Sequence, residues 1–313
     1  MARPEAHGII NLDKPVDATS MDMVRLAKRV TKVKHVGHAG TLDPIASGVL
    51  PICFGQATRL MEHMVGGRKV YRAGITLGVS TDTYDAQGKP VRTADPAGVT
   101  RDQVEALLPR FVGKIMQRPP MYSALKHDGQ RLYDLARDGV EVERDEREVV
   151  VYRLALVDWA PPLFTIEAEC GRGFYVRTLA HDLGEALGCG AHMSSLVRTR
   201  AGHFAIEDSI TPDRLEAAGA DGSWEDLLVP PDAAVLDMEA LVVESAAERH
   251  LRNGQAATLR NTSMYVQHLE PRRAYSHDGR FLGIIRFNRP VNQWQPEKMF
   301  SLPEPSRYAP VVR

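Results

Sequence analysis

The sequence predicts an α+β protein, a large domain followed by a small β-rich one. Three observations point there. The chain has 313 residues, more than one ordinary domain core absorbs. Stretches of alternating hydrophobicity and stretches of helical period are interspersed along its first two thirds. Beyond a paired-proline segment near residue 230, short strand patterns dominate.

Composition fits a folded soluble chain, with 43% hydrophobic and 25% charged residues, and excludes fibrous and disordered classes. The start "MARPEAHGII" lacks a basic-then-apolar leader, and no apolar run nears the roughly 20 residues that cross a bilayer, so a cytoplasmic protein is expected. Cys53, Cys170 and Cys189 form no C-x-x-C pair, which supports neither a zinc site nor a disulfide framework. A net charge of -1 argues against indiscriminate polyanion binding, although local clusters set the field a ligand meets.

Taken in order, Ser20 is the expected N-cap of a helix to about Thr31, with Met23, Leu26, Ala27 and Val30 on its apolar face. Arg25, Lys28, Arg29 and Lys32 form a basic stripe on the same helix, read either as a solvated face or as a phosphate rail. Ala57, Leu60, Met61, Met64 and Val65 mark a short amphipathic helix. The segment "KVYRAGITLGV" alternates as a strand, with Tyr71, Ala73, Ile75, Leu77 and Val79 on one side. After the polar connection "TDTYDAQGKP", Thr100 and Gln103 make a capping box for a helix carrying Val104, Leu107, Leu108 and Phe111.

Residues 119–148 read as a proline-led mobile arm with a short helix ending at Gly139. Strands are expected in "EVVVYRLALVDW" and "LFTIEAEC". Val176, Leu179, Ala180, Leu183 and Leu187 then set a helix that Gly188 stops, with Arg177 off its apolar stripe. Thr211 and Pro212 open another helix, "WEDLLVPPDAAVLDM" is the linker candidate, and a helix over Ser245 to Arg252 precedes strands such as "RFLGIIRF". The division is therefore placed at 1–235 and 240–313.

Several chemistries are unsupported. The glycines around Asp43 spell neither G-x-G-x-x-G nor a P-loop. His35 and His38 lack a further ligand pair for a metal, and no Ser or Cys shows a triad arrangement. Asp43 in "GTLDP" is different, because a residue before proline is pushed out of the helical region and its carboxylate projects from a stiff turn. Local chemistry alone is equally satisfied by an Asx turn or a helix cap there. By the same standard Arg177 could be an exposed helix arginine and Tyr71 a core residue.

Five segments change that balance: "DKPVDATS", "HVGHAGTLDPIASGVLPICFGQATRL", "KVYRAGITLGVSTDTYDAQG", "PPMYSALKHDGQRLYDLARDG" and "GRGFYVRTLAHDLGEALGCGAHMSSLVRT". In this order, over most of residues 8 to 210, they resemble the bacterial tRNA pseudouridine synthase B family, which makes pseudouridine at position 55 of the T arm. The resemblance implies a pseudouridine synthase fold with a mixed, largely antiparallel central sheet flanked by helices and loops, and a small PUA-like RNA-binding domain at the C-terminus. It implies that Asp43 is catalytic, that Tyr71 stacks on the target uracil and that Arg177 partners the carboxylate. It also places His38, Tyr175 and Leu196 around the flipped nucleotide. Asp17 departs from the family's usual glycine in "KPVDATS", which puts that turn in question.

What the resemblance implies is chemically coherent. A uridine must be flipped into a pocket before its glycosidic bond can be reached, and a guanidinium keeps a carboxylate ionised in such a place. Stem-loop RNA is recognised largely through its backbone and unstacked bases, which would give a purpose to Arg25, Lys28, Arg29 and the arm residue Lys126. Neither metal nor organic cofactor is expected for an isomerisation. The expected partner is the tRNA T-arm stem-loop, for a monomer with no membrane and no obligatory protein partner. Two rivals are an RNA-binding module with a vestigial pocket and the catalytic subunit of an RNA-guided particle.

Overall fold

The computed structural model of the protein describes residues 6–123, 125–127, 129–137, 139–140, 142–259 and 266–310. Its first half runs β1 (Gly8–Lys14), α1 (Ser20–Thr31), β2 (Val36–His38), β3 (Ala46–Phe54), α2 (Met61–Gly66), β4 (Lys69–Leu77), β5 (Val79–Thr81), β6 (Pro90–Thr93), α3 (Arg101–Leu107) and β7 (Gly113–Gln117). The arm contributes β8 (Lys126–His127), β9 (Gln130–Arg131) and α4 (Leu132–Arg137). Next come β10 (Arg147–Ala160), β11 (Leu163–Cys170), α5 (Val176–Ala186), β12 (Ala191–Ala201), β13 (Phe204–Ala205) and α6 (Pro212–Asp221). The C-terminal part holds β14 (Ala240–Val243), α7 (Ser245–Arg252), β15 (Pro271–Ser276), β16 (Phe281–Asn288) and β17 (Gln293–Met299).

The central sheet is ordered β1-β3-β12-β4-β11-β10-β7, with β2 also on β3 and β13 on β12. Only the β3–β12 pairing is parallel, so the sheet is mixed and largely antiparallel as expected. That parallel contact depends on Gly48, which lies at φ 102°, where a Cβ would stand 2.3 Å from the Arg198 carbonyl oxygen. Buried Met23, Leu26 and Ala27 of α1 and Val176, Leu179, Ala180 and Leu183 of α5 close one core with Ile10, Leu50, Ala73, Ile75 and Ile166. A second, four-stranded sheet, β14-β15-β16-β17, lies in the C-terminal part of the chain.

Four details depart from the sequence reading. Thr19, not Ser20, caps α1, and it exchanges capping-box bonds with Asp22, while Ser20 is buried for another purpose described below. The row begun by Tyr71 ends at Leu77, because Gly78 at φ 89° turns the chain and Val79 pairs in a separate ribbon with Thr93. Strands β1, β3 and β12 were not visible as strands in the sequence, since β1 and β3 are buried on both faces and β12 carries two bulges. Residues 224–238 are not a spacer: Trp224 is buried in the first core against Phe54, and Pro231 to Val235 are buried in a 3₁₀ turn, with Ala233 to Val235 in a cluster shared by both sheets.

Asp17 keeps its turn without a glycine. Its φ is 65°, a left-handed conformation that Asp tolerates better than most residues, and its N–H donates to the Pro44 carbonyl at 2.8 Å.

Candidate active site

A cavity of about 290 Å³ opens on the pocket-facing side of β4 and β12. Cross-strand register builds its floor, because directly opposed residues face the same side of a sheet. Tyr71 lies opposite Arg198 on β12 and Ala168 on β11, Lys69 lies opposite Cys170, and Leu196 lies opposite Ala73. The wall consists of the Gly40 to Asp43 loop and of Phe174 to Arg177 at the start of α5.

The loop that carries Asp43 is pinned at every side by backbone contacts. Ser20 Oγ accepts from the Leu42 N–H at 2.9 Å and donates to the Leu42 carbonyl at 3.1 Å, which accounts for its burial. Arg198 donates from Nη2 to the Gly40 carbonyl at 2.9 Å and from Nε to the Val49 carbonyl at 2.7 Å, stapling both ends of the loop. Lys14 Nζ donates to the Ala18 carbonyl at 2.6 Å, the Pro15 carbonyl at 2.8 Å and the Pro44 carbonyl at 3.5 Å. Burial lowers its amine to about 8, against the opposing pull of the Asp43 charge. Leu42 is buried, so the loop is also anchored by apolar burial, about 1.5 to 3 kcal/mol for such a side chain.

Asp43 and Arg177 meet at 3.0 Å, Oδ2 to Nη2. The Asp43 side chain is 38% exposed and the Arg177 side chain 6%, so the carboxylate is reachable from the cavity while its counterion is sealed behind it. Arg177 Nη1 is also 3.5 Å from Asp85 Oδ2, and Asp85 is buried. The same guanidinium donates to the carbonyls of Tyr122 at 2.8 Å and Thr83 at 3.4 Å, which ties the root of the arm to the site. Far from being an exposed helix arginine, Arg177 is the hub of the wall. Its place in the first turn of α5 is electrostatically unfavourable for a lone cation, and two carboxylates converge there to offset it.

Among the expected residues, Asp43, Tyr71, Arg177, Tyr175 and Leu196 all line the cavity. Tyr71 is partly exposed, and burial pushes its phenol up, with the Arg198 guanidinium opposing. Gln117 fixes Tyr175 by accepting from its N–H at 2.8 Å and donating to its carbonyl at 3.0 Å, and burial raises the Tyr175 phenol as well. His38, at the end of β2, is not part of the cavity lining; its Nδ1 is buried without a partner and burial lowers its imidazole. Arg25 and Arg29 lie on the exposed side of α1, paired with Asp22 at 2.8 Å and Glu216 at 2.6 Å, and Lys28 is exposed beside them. None of the three reaches the cavity. Lys126 sits on β8 of the arm hairpin, and its side chain lies outside the described residues.

Sequence reasoning missed Asp85, Lys69, Arg198 and Ser20. Asp85 had a signal, the T-x-T-x-D spacing before Gly88. Thr83 Oγ1 donates to its carboxylate at 2.6 Å, the Gln87 N–H donates to it at 3.1 Å, and Thr81 Oγ1 donates to its carbonyl at 2.7 Å.

Two family descriptions match the chain. Residues 28–176 match the N-terminal domain of the TruB family of pseudouridylate synthases, and residues 177–243 match the tRNA pseudouridylate synthase B C-terminal domain. The chain is 41% identical over 303 residues to the tRNA pseudouridine synthase B of Dehalococcoides mccartyi, covering 97% of this chain and 99% of that protein. It is 48% identical over 262 residues to that of Symbiobacterium thermophilum, covering 83% and 86%. Among solved structures it resembles a chain of a Cbf5-Nop10-Gar1 complex, with a TM-score of 0.72 and 25% identity over 97% of this chain and 87% of that one. A chain of an H/ACA RNP bound to a substrate RNA containing 2′-deoxyuridine has the same fold, with a TM-score of 0.72 and 22% identity over 99% and 93%.

Proposed function

The chain belongs to the TruB family of pseudouridylate synthases, and from that premise we propose that it isomerises uridine 55 in the T loop of tRNA to pseudouridine, with the Asp43 carboxylate as the reacting group. The observation that carries this reading is the asymmetry of the ion pair: Asp43 is open to the cavity and Arg177 is not. A carboxylate arranged in this way can form a bond to C1′ or C6, or remove the C2′ proton, without surrendering its counterion. The cavity lies at the lower end of the usual ligand range, about 300 to 1,000 Å³, which suits one flipped nucleoside and excludes a stacked segment.

Within this reading Tyr71 stacks on the uracil, Leu196 and Tyr175 bound its pocket, and His38 packs in the RNA-binding cleft near the flipped-out nucleotides. Residues 1–235 act as the catalytic domain, the arm 119–148 and the α1 cations Arg25, Lys28 and Arg29 contact the T-arm backbone, and 240–313 act as a PUA-like RNA-binding domain. The protein works as a cytoplasmic monomer without a protein partner.

The test is conversion of an unmodified tRNA transcript by the purified chain alone, with no guide RNA or companion protein. Uridine 55 should be converted, and a transcript with cytidine at that position should yield no product. Asp43→Asn should reduce the single-turnover rate by about a thousandfold or more. Conversion by Asp43→Asn at the normal rate would overturn the catalytic assignment, and no product without added RNA or proteins would overturn independent action.

A further inference from the structure

We propose that the Lys69 ammonium, on the cavity floor beside Tyr71, holds the negative charge that uracil acquires when it separates from the ribose. The inference rests on the reading of this cavity as the uridine pocket.

Lys69 is 7% exposed and lines the cavity. Its Nζ donates to the Gly67 carbonyl at 2.6 Å and, in a shorter bond, to the Val65 carbonyl, both at the C-terminal end of α2. No carboxylate stands within 4.0 Å of it among the described residues, and the groups that act on its charge are the guanidiniums of Arg198 and Arg172 and the thiol of Cys170. A buried cation without an acid is costly to keep. Lys14, also buried, offers the contrast: it spends its donors on three carbonyls and lies near the Asp43 charge. Lys69 has two carbonyls, two arginine neighbours and no acid.

The cavity is therefore electrically divided. Asp43 and Asp85 face one guanidinium at the loop end, whereas Lys69 and Arg198 stand without acids on the floor. Arg198 is held in the floor by the Gly40 and Val49 carbonyls and by a hydrogen bond to the Tyr71 side chain, whereas Lys69, bound to two carbonyls, keeps its third N–H for the cavity.

The chemistry needs such a division. When the C1′–N1 bond breaks, its electron pair leaves with the base, and uracil becomes an anion spread over the ring and its oxygens. The positive character left on the ribose is met by the Asp43 carboxylate, which either bonds C1′ or takes the C2′ proton. After the base turns, C5 supplies the pair that forms the new bond to C1′ while the Asp43–C1′ bond breaks, its electron pair returning to the carboxylate, or, on the other route, while Asp43 returns the proton to C2′; the C5 proton is then lost as N1 gains one. Lys69 stays an ammonium throughout. It contributes charge where the anion develops and no proton.

The experiment compares Lys69→Met and Lys69→Arg in the full chain, by single-turnover conversion at saturating tRNA, by tRNA Kd and its salt slope, and by pH profile. Lys69→Met should lower the saturated rate about a hundredfold with Kd and slope unchanged, and Lys69→Arg should restore most of it. Burial, reinforced by Arg198 and Arg172, lowers the Lys69 amine to about 8, while the Cys170 thiol is pushed up to about 12 and stays neutral. The wild-type rate should accordingly fall as pH rises through about 8; Lys14, lowered to the same value, titrates in that window too, so Lys69→Arg should lessen the fall and the part it removes belongs to Lys69. An unchanged saturated rate in Lys69→Met overturns the inference. So does a loss confined to Kd and salt slope, which would make Lys69 a phosphate contact, or a flat pH profile. If Lys69→Met does not fold, Lys69→Arg and the pH profile decide. Asp43→Asn in the same assay separates the two readings: if it keeps the full rate the uridine pocket itself is wrong, and if it fails while Lys69→Met does not, only this inference is lost.

Discussion

Two carboxylates share one guanidinium at the site, and they are not equivalent. Asp85 has its oxygens occupied by Thr83, the Gln87 N–H and Arg177, and it is sealed, whereas Asp43 keeps an accessible face. Asp85 thus orients Arg177, and Arg177 in turn fixes Asp43. Asp85→Asn preserves the shape and removes the charge, so Arg177 should relax toward Asp43. We expect the single-turnover rate to fall about tenfold to a hundredfold with tRNA affinity retained; an unchanged rate would show that Arg177 needs no second anchor. At this scale the sequence was partly legible. Asp43 stood out because an Asp-Pro step has few conformations, but Ser20 and Arg198 act through carbonyls far away in sequence, and Lys69, although it bonds the nearby Val65 and Gly67 carbonyls, joins the cavity only through the pairing of β4 with β11 and β12, which no local pattern encodes. Serine at 20 looked like a helix cap because the same hydroxyl chemistry serves both roles, and only the approach of Leu42 decides between them.

The elements that sequence reasoning found are those whose pattern is one-sided. Helix α1 buries one stripe and exposes the other, α5 keeps its apolar residues at helical spacing although its first turn is buried all round, and β11 alternates between the core face and the outer face. Strands β1 and β3 bury nearly every residue, so their periodicity vanishes, although β3 is what positions the end of the Asp43 loop. The basic stripe of α1 shows a different limit, since a pattern of charges does not say what they touch. Arg25 and Arg29 are partnered by Asp22 and Glu216 in exposed pairs. Such pairs are worth about 0 to 1 kcal/mol, little enough for a phosphate to displace. Replacing Arg25, Lys28 or Arg29 with Ala should therefore weaken tRNA binding and reduce the log-log salt slope by about one per lost phosphate contact. A slope that does not move would leave the stripe as a solvated face joined to α6.

Across the whole molecule, the two sheets are joined by the segment read as a linker. Ile9, Val49, Cys53 and Leu60 from the side of the central sheet, Ala233 to Val235, and Tyr275, Phe281, Ile284 and Phe300 from the side of the second sheet form a single buried cluster. At its centre the fully buried Asp232 accepts from the Tyr275 hydroxyl and the Ser306 hydroxyl, both at 2.6 Å, and Arg273 donates to the same phenol oxygen at 2.8 Å. Burial and the Asp232 charge push the Tyr275 phenol far up, so it remains a donor at any working pH. Paired prolines misled the sequence reading because they mark irregular backbone, and irregular backbone can be packed as firmly as a strand once its polar groups are satisfied. A continuous seam implies that the domains unfold together and that their relative placement, hence the distance between the uridine pocket and the small sheet, is fixed. Tyr275→Phe leaves the ring in place but removes one donor from a buried carboxylate, at a cost of about 1 to 3 kcal/mol. Calorimetry should show one transition in the parent chain and one at a lower Tm in Tyr275→Phe, whereas two separate transitions, or a variant that melts with the parent, would mean that the seam does not couple the domains.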